Sequence, residues 1–485
     1  MARLSEKDYA YFTTVRGMCR ECRRIVPARV FFRDGKVWQQ SLCPDHGPEG
    51  ADGAGDNARR GHSSPALIAG DKNWYLENVL AGFPDHSPLK GAHPPAQGCP
   101  HDCGPCAWHA SPCQLPVVSV TNACDLDCPI CFTYNRKDRI YFMSPEEMRG
   151  TVDWIVESSG CVDVLDITGG EPTLHPRILD ILQCCRRPEI GRVTMNSNGL
   201  RLSEDPDLCK RLADMGIYVV LSFNTFDAAV SEHLHGRDVS AAKLRAIENL
   251  TRAGARMTIL TVLIRGENEE ALSGILDLMR GNDNILSLTV QTMTYTGQGG
   301  GRFRERRHVP VDEAARTVCA HSRGQLEFSD FLPRASAHPL CYLTCYMMKQ
   351  GDRFLPFARF APRERIAALQ KDSYLIRLDS GGEWFREVIG DLFARGETEH
   401  LRFFRNLIRD IYPPDRPLDV FERQRVAESA VRTVYVHAHM DEDTFDCSRA
   451  MMCPDLVPCE PGRLIPACTY NLFYRMRDER FYVKP

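Results

Sequence analysis

Thr121-Asn122-Ala123-Cys124-Asp125-Leu126-Asp127-Cys128-Pro129-Ile130-Cys131-Phe132 follows directly on a short apolar β-type run, Val117–Val120. Three thiolates at CxxxCxxC spacing can hold three irons of a [4Fe–4S] cube, which leaves the fourth iron open to an outside ligand. After a second apolar run, Val162–Ile167, stands Thr168-Gly169-Gly170-Glu171-Pro172-Thr173. Paired glycines lack a Cβ and let the backbone approach a ligand closely. The two motifs share one local setting, a turn at the end of a strand.

Working outward, further β-type runs occur at Val193–Met195, Tyr218–Phe223, Met257–Ile264 and Leu286–Thr292. Helical patterns separate them at Pro145–Glu157, Pro176–Cys185, Asp205–Met215, Ala241–Ala253 and Glu269–Arg280. Pro145 and Pro176 sit where helix starts tolerate proline, Ser144 can cap the first, and Gly254 and Gly281 fall just past helix ends. Six strands joined by five crossovers imply a parallel sheet, here an α/β partial (β/α)6 TIM-like barrel. Chemistry in such a barrel lies in the loops after the strand C-termini, where both motifs stand.

Before the barrel, Cys19-Arg-Glu-Cys22 and Cys43-Pro-Asp-His46 bracket the alternating stretch Ala28–Trp38. Asp34-Gly35 at its middle reads as a two-residue hairpin turn. Gly50–Gly70 is rich in Gly, Ala, Asp and Ser and reads as a loop or linker. Beyond residue 310 the alternation becomes less regular, and Trp384–Tyr412 shows helical apolar spacing. This block is expected to be a smaller helical and irregular domain that closes over the barrel mouth.

The 60 Lys and Arg against 64 Asp and Glu leave a net charge of −4. No basic field marks nucleic acid as a partner. Residues 1–16 are charged throughout and lack a signal-peptide core, and no apolar stretch is long enough to span a bilayer, so a cytoplasmic protein is expected. Twenty-one cysteines in 485 residues, clustered in a reducing compartment, point to metal rather than disulfides.

A second CxxxCxxC lies upstream, within Cys99-Pro-His-Asp-Cys103-Gly-Pro-Cys106. It follows a Pro-rich segment instead of a strand and has Cys113 nearby. Four thiolates saturate a cube, so Cys99, Cys103, Cys106 and Cys113 read as an auxiliary cluster, with tetrahedral zinc as the alternative.

Together these residues resemble the radical S-adenosylmethionine (SAM) superfamily over roughly Val117–Thr296. The resemblance implies that Cys124, Cys128 and Cys131 hold the cluster whose open iron chelates SAM. It also implies that Gly169, Gly170, Glu171 and Pro172 hold the SAM amino group and that Ile130 packs on adenine. Asn198, Ser222, Asn224 and Gln291 would complete the pocket. A narrower similarity, to tetraether lipid synthases and class D radical SAM methylases, covers nearly the whole chain. It rests on the Cys99–Cys113 segment, the two barrel motifs, Val290-Gln-Thr-Met-Thr-Tyr-Thr-Gly-Gln-Gly299 and the run from His439 to Arg475.

That similarity implies three [4Fe–4S] clusters, SAM and one mononuclear site. Cys19, Cys22 and Cys43 would supply the mononuclear site with His46 in fourth place, a set that suits iron or zinc and fits a zinc ribbon as well as a rubredoxin-like centre. Cys341, Cys453 and Cys468 would hold a second auxiliary cluster, with Cys459 as fourth candidate, Cys345 as competitor, and an open iron as a further option. The expected domains are 1–50 (mononuclear metal), 51–115 (linker and first auxiliary segment), 116–310 (barrel) and 311–485 (second auxiliary domain).

The chemistry implied is cleavage of SAM to a 5′-deoxyadenosyl radical, hydrogen abstraction from an unactivated carbon and C–C bond formation. Methylation of a soluble small molecule comes first, coupling of lipid alkyl chains second, and a non-catalytic iron–sulfur electron carrier is the third reading. An electron donor such as flavodoxin or ferredoxin is implied. Arg302, Arg304, Arg306, Arg307 and His308 read as a solvated basic run, and His437 and His439 as satisfied structural histidines sharing one face of a strand. Arg402, Arg405 and Arg409 lie opposite apolar positions on a helix expected to dock on the protein's own core.

Overall fold

The helix Pro145–Ser159 shows how locally these elements are specified. Ser144 accepts from the Glu147 amide while the Glu147 side chain takes the Ser144 amide, and Pro145 fills the first helical position. Met148, Val152 and Ile155 then recur at helical spacing and are buried. A computed structural model describes residues 8–46, 64–86, 89–104, 106–133, 139–303, 305–371, 373–375, 378–460 and 462–481.

The N-terminal strands are β1 (Ala10–Met18), β2 (Ile25–Arg33), β3 (Lys36–Ser41) and β4 (Ala66–Ala69), paired in that order. Asp34 and Gly35 turn the β2–β3 hairpin with φ of 52° and 71°, the left-handed pair that matches strand twist. The proposed linker is shorter than expected. Its end folds as β4, whose four residues are all buried against β3, and residues 50–63 lie outside those described.

The barrel strands are β5 (Leu115–Thr121), β6 (Val162–Gly169), β7 (Ile190–Ser197), β8 (Tyr218–Ser222), β9 (Met257–Leu263) and β10 (Ile285–Thr292). They pair in sequence order and in parallel. The α/β partial barrel read from the sequence is the observed fold. Its helices cover the outer face, and a continuous core of Val, Ile, Leu and Met joins sheet to helices.

The C-terminal block differs from expectation. Besides helices, it contributes β11 (Leu332–Pro333), β12 (Tyr342–Gln350), β13 (Arg353–Pro356), β14 (Val431–His437), β15 (Asp455–Glu460) and β16 (Arg463–Pro466). β14 lies parallel to β10, and β15 lies parallel to β5. The block therefore extends both edges of the barrel sheet instead of sitting as a separate cap. An open sheet edge offers unpaired backbone groups, and these returning strands satisfy them. The helix Thr398–Ile411 buries Phe404, Leu407 and Ile411 against the protein's own core, as its apolar spacing predicts.

Candidate active site

Residues 122–131 leave the C-terminal end of β5 and are held by that strand's last side chains. Thr121 Oγ1 donates to the Tyr141 carbonyl at 2.7 Å, and Asn122 Nδ2 to the Arg139 carbonyl at 2.7 Å. Gly299 N donates to the Cys131 carbonyl at 2.7 Å, so the triple-glycine segment after β10 folds onto the same loop. Cys124, Cys128 and Cys131 line one cavity of about 210 Å³ with Glu171, Asn198 and Lys243. Burial pushes the Cys124 thiol up to about 12 and the Cys128 thiol up to about 11. Three thiols lining one cavity are the donor set an iron cluster takes as thiolates.

The paired glycines have a further reason besides ligand access. A Cβ on Gly169 would stand 2.1 Å from the Thr121 carbonyl oxygen, and one on Gly170 2.2 Å from that of Ala123. The Gly170 and Glu171 amides donate to those same two carbonyls. The glycines lock the β6 turn against the cysteine loop's backbone. Glu171 is buried, and its carboxylate accepts from Thr173 N (3.1 Å), Thr173 Oγ1 (2.7 Å), Ser197 Oγ (2.9 Å) and Asn198 N (2.6 Å). Burial raises its pKa against these donors. Its side chain ties the ends of β6 and β7 together.

Ile130, Gly169, Gly170, Glu171, Asn198, Ser222 and Gln291 all line the cysteine cavity. Pro172 and Asn224 do not. Pro172 opens a short 3₁₀ turn, and Asn224 is spent on His235 Nε2 (3.0 Å) and the Val262 amide (2.8 Å). Lys243 was missed from the sequence. It is 1% exposed, donates to Ser222 O (2.8 Å) and Ser222 Oγ (3.1 Å), and is brought down to about 8 by burial. Ala246, Ile247 and Leu250 follow it at helical spacing and are buried, so a lysine on the apolar face was the available signal.

The auxiliary cysteines regroup. Cys99 lies against Cys447: the thiol of each approaches the other's carbonyl, at 3.8 and 3.4 Å. Cys103 is the other thiol beside Cys99, and Cys106 Sγ accepts from the Trp108 amide at 3.5 Å. Cys113 is not brought to them. It is packed into the main core, with its thiol toward Ser159, because the residues before β5 point it at the helix layer. Cys341, Cys453 and Cys468 sense one another's charge around the buried Arg449. Arg449 Nε lies 3.3 Å from Cys341 Sγ and His439 Nδ1 3.3 Å from Cys468 Sγ. Cys459 is left out and packs with Cys103 against Val457, Ile465 and Tyr470. Cys345 is fully buried in the core on β12.

In the N-terminal unit, the ligand atoms of Cys19, Cys22, Cys43 and His46 lie within 4.8 Å of one another. His46 Nδ1 stands 3.4 Å from Cys43 Sγ and 3.6 Å from Cys19 Sγ. Three thiols and an imidazole at this separation suit a tetrahedral ion. His308, Asp441 and Asp443 also converge, but His308 Nε2 pairs with Asp441 at 2.9 Å and both Arg20 and Arg306 pair with Asp443, so cations already neutralise that group. The basic run is solvated as expected at Arg302, which is exposed while pairing with Asp127 at 2.7 Å, but bound at Arg306 and His308. Arg304 lies outside the described residues.

A second cavity, about 300 Å³, fills the barrel interior and shares Cys131, Thr168, Gly169, Asn196, Leu260 and Gln291 with the first. Alternate residues of the strands face it, among them Asp166 of β6, Thr194 of β7, Thr289 of β10 and Asp455 of β15. His437 and His439 both line it, correcting their purely structural reading. His437 stacks on Tyr342 at 3.9 Å and His439 on Phe132 at 4.9 Å. Among the described residues, no helix is long and apolar enough to cross a membrane.

Residues 118–279 match the family model of the Radical SAM superfamily, and residues 11–51 that of the HMPTM N-terminal zinc ribbon domain. The chain carries a radical SAM domain behind a zinc ribbon. It is similar over 96% of its length to the 7,8-dihydro-6-hydroxymethylpterin dimethyltransferase of Methanocaldococcus jannaschii, at 23% identity and covering 95% of that protein. It is 26% identical to the GTP 3′,8-cyclase of Erythrobacter litoralis over 36% of this chain and 53% of that one. Among solved structures, Streptococcus suis SuiB bound to the precursor peptide SuiA aligns with 43% of this chain and 45% of that one, at 21% identity and a TM-score of 0.36.

Proposed function

We propose that this protein is a radical SAM C-methyltransferase whose substrate is a flat, polar nitrogen heterocycle of the pterin type. The observation that carries this reading is the barrel cavity joined to the cysteine-lined one and walled by carboxylates, hydroxyls and stacked aromatic rings. The end-to-end similarity to a pterin dimethyltransferase supports it. Coupling of lipid alkyl chains calls for a long apolar tunnel, and a simple electron carrier calls for no substrate cavity.

In this reading Cys124, Cys128 and Cys131 hold the cluster. The Gly169–Pro172 turn receives the methionine end of SAM, and Lys243 is the buried cation for its carboxylate. A [4Fe–4S] cluster held by these three thiolates would supply the one-electron chemistry that cleaves SAM to methionine and a 5′-deoxyadenosyl radical, able to take a hydrogen atom from the substrate carbon. Glu171 keeps the turn and Asn198 in register, and Phe132, stacked on His439, lines both cavities where they meet. Cys99, Cys103 and Cys106, joined by Cys447 in place of Cys113, make the first auxiliary group; Cys341, Cys453 and Cys468 make the second. Transfer of a methyl group from a second SAM to the substrate radical breaks that SAM's methyl C–S bond, releases S-adenosylhomocysteine and consumes one further electron, which either group would relay from the external reductant. Flavodoxin or ferredoxin fits as external reductant.

The test is anaerobic reconstitution with dithionite, SAM and 7,8-dihydro-6-hydroxymethylpterin, followed by mass spectrometry. The expected result is 5′-deoxyadenosine together with a pterin heavier by one or two methyl groups. Uncoupled 5′-deoxyadenosine with the pterin returned unchanged defeats the substrate assignment.

A further inference from the structure

Two carboxylates line the barrel cavity on the strands either side of β5, Asp166 on β6 and Asp455 on β15. Asp166 accepts one hydrogen bond on each oxygen, from Thr194 Oγ1 at 2.5 Å and Asn196 Nδ2 at 2.6 Å. A carboxylate oxygen accepts two. Asp455, 3% exposed, takes the Tyr342 hydroxyl on Oδ2 at 2.5 Å, while its Oδ1 is buried and has no partner. Among the described residues, no Lys or Arg lies within ion-pair distance of either group. Arg192, which lines the cavity, pairs with Glu428 at 2.9 Å, and Arg334, whose charge draws Asp455 down from a distance, bonds Gln114 and Ser336 while lying over the Tyr374 ring.

A buried carboxylate without its donors is costly, and two in one cavity repel each other. Burial and that repulsion hold Asp166 up to about 7. The walls beside them are flat: Tyr342 stacks on His437 at 3.9 Å, and Tyr374 on Tyr435 at 5.7 Å. The complementary ligand is planar and presents adjacent N–H donors on one edge. An apolar chain would leave these carboxylates unpaired.

We propose that Asp455 and Asp166 select the substrate by its cyclic guanidine edge, the 2-amino-4-oxopyrimidine portion of a pterin, with Asp455 Oδ1 accepting from the 2-amino group. This inference rests on the heterocycle reading above and names the edge by which the ring is held. The test is fluorescence titration of the reconstituted protein with 6-hydroxymethylpterin and with the corresponding lumazine, which carries oxygen in place of the 2-amino group. The wild type should bind the pterin at least tenfold more tightly, since a polar site discriminates strongly against an analogue that leaves its buried groups unpaired. Asp455→Asn should erase that preference, and Asp166→Asn should reduce it, each with wild-type circular dichroism. Equal binding of both rings by the wild type, or an undiminished preference in a folded Asp455→Asn, overturns the proposal. If the preference holds while the dihydropterin is not methylated, the edge recognition stands and only the reaction assigned above falls.

Discussion

The N-terminal ribbon and the barrel mouth each gather cysteines on turns that follow strands, yet they finish in opposite states. In the ribbon, Cys19 follows β1 and Cys43 follows β3, and four donors close on one point within 4.8 Å. A saturated tetrahedral site has no position left for a substrate, so its metal can hold structure and do little else. At the barrel mouth three thiols after β5 share a cavity with a buried lysine, a buried glutamate and the floor of a larger chamber. Reactivity follows from the missing fourth donor, and the surrounding backbone must supply the precision that a closed ligand set provides for itself.

Cysteine removal should separate the two most sharply. Cys128→Ala is expected to abolish 5′-deoxyadenosine formation, whereas Cys22→Ala is expected to lose the ribbon metal and leave SAM cleavage detectable. The measurement is metal analysis beside product quantitation on the same anaerobic samples. If Cys22→Ala alone ended cleavage, the ribbon would not be a merely structural unit.

A smaller but still large effect is expected for Gly170→Ala. The added methyl would stand 2.2 Å from the Ala123 carbonyl oxygen, which is backbone and cannot rotate away. Overpacking of this kind typically costs about 1–3 kcal/mol and sometimes more, here concentrated on the cysteine loop. Iron incorporation and SAM turnover should both fall. A variant with full iron and full turnover would show that the loop moves freely.

Glu171→Gln comes next. Four donors converge on its carboxylate, and an amide nitrogen would face one or more of them donor to donor. Charged hydrogen bonds of this type are worth about 1.5–3 kcal/mol, so SAM binding should weaken roughly ten- to a hundredfold with iron content unchanged. Isothermal titration of SAM decides it, and wild-type affinity would reduce Glu171 to a turn residue.

Much of this contrast was legible beforehand because it is local. CxxxCxxC after one strand and Gly-Gly-Glu-Pro after the next set both the barrel and its reactive end, and Asp34-Gly35 set the ribbon hairpin. What escaped depends on partners distant in sequence. Cys447 meets Cys99 across 348 residues, and β14 pairs with β10 after a long helical excursion; neither segment encodes its partner in its own periodicity. Cys113 and Cys459 were grouped by nearness along the chain, which the returning strands override. Asp166 was hidden inside an apolar run, although a carboxylate on the inward face of a barrel strand is itself a sign of a ligand.

The smallest effect should fall on the ribbon, at Gly35. Its φ of 71° is left-handed, but a Cβ there would meet no atom within 4 Å. The cost of Gly35→Ala is therefore conformational alone, about 1–2 kcal/mol for a left-handed non-glycine residue. Part of that is offset because alanine restricts the unfolded chain. The four candidate donors, Cys19, Cys22, Cys43 and His46, sit at the other end of the hairpin, so bound metal and SAM turnover should equal the wild type while thermal unfolding begins a few degrees lower. Loss of the metal in this variant would mean that the closed site depends on its supporting turn as strictly as the open one depends on Gly170, and the contrast between the two regions would fail where it was expected to be safest.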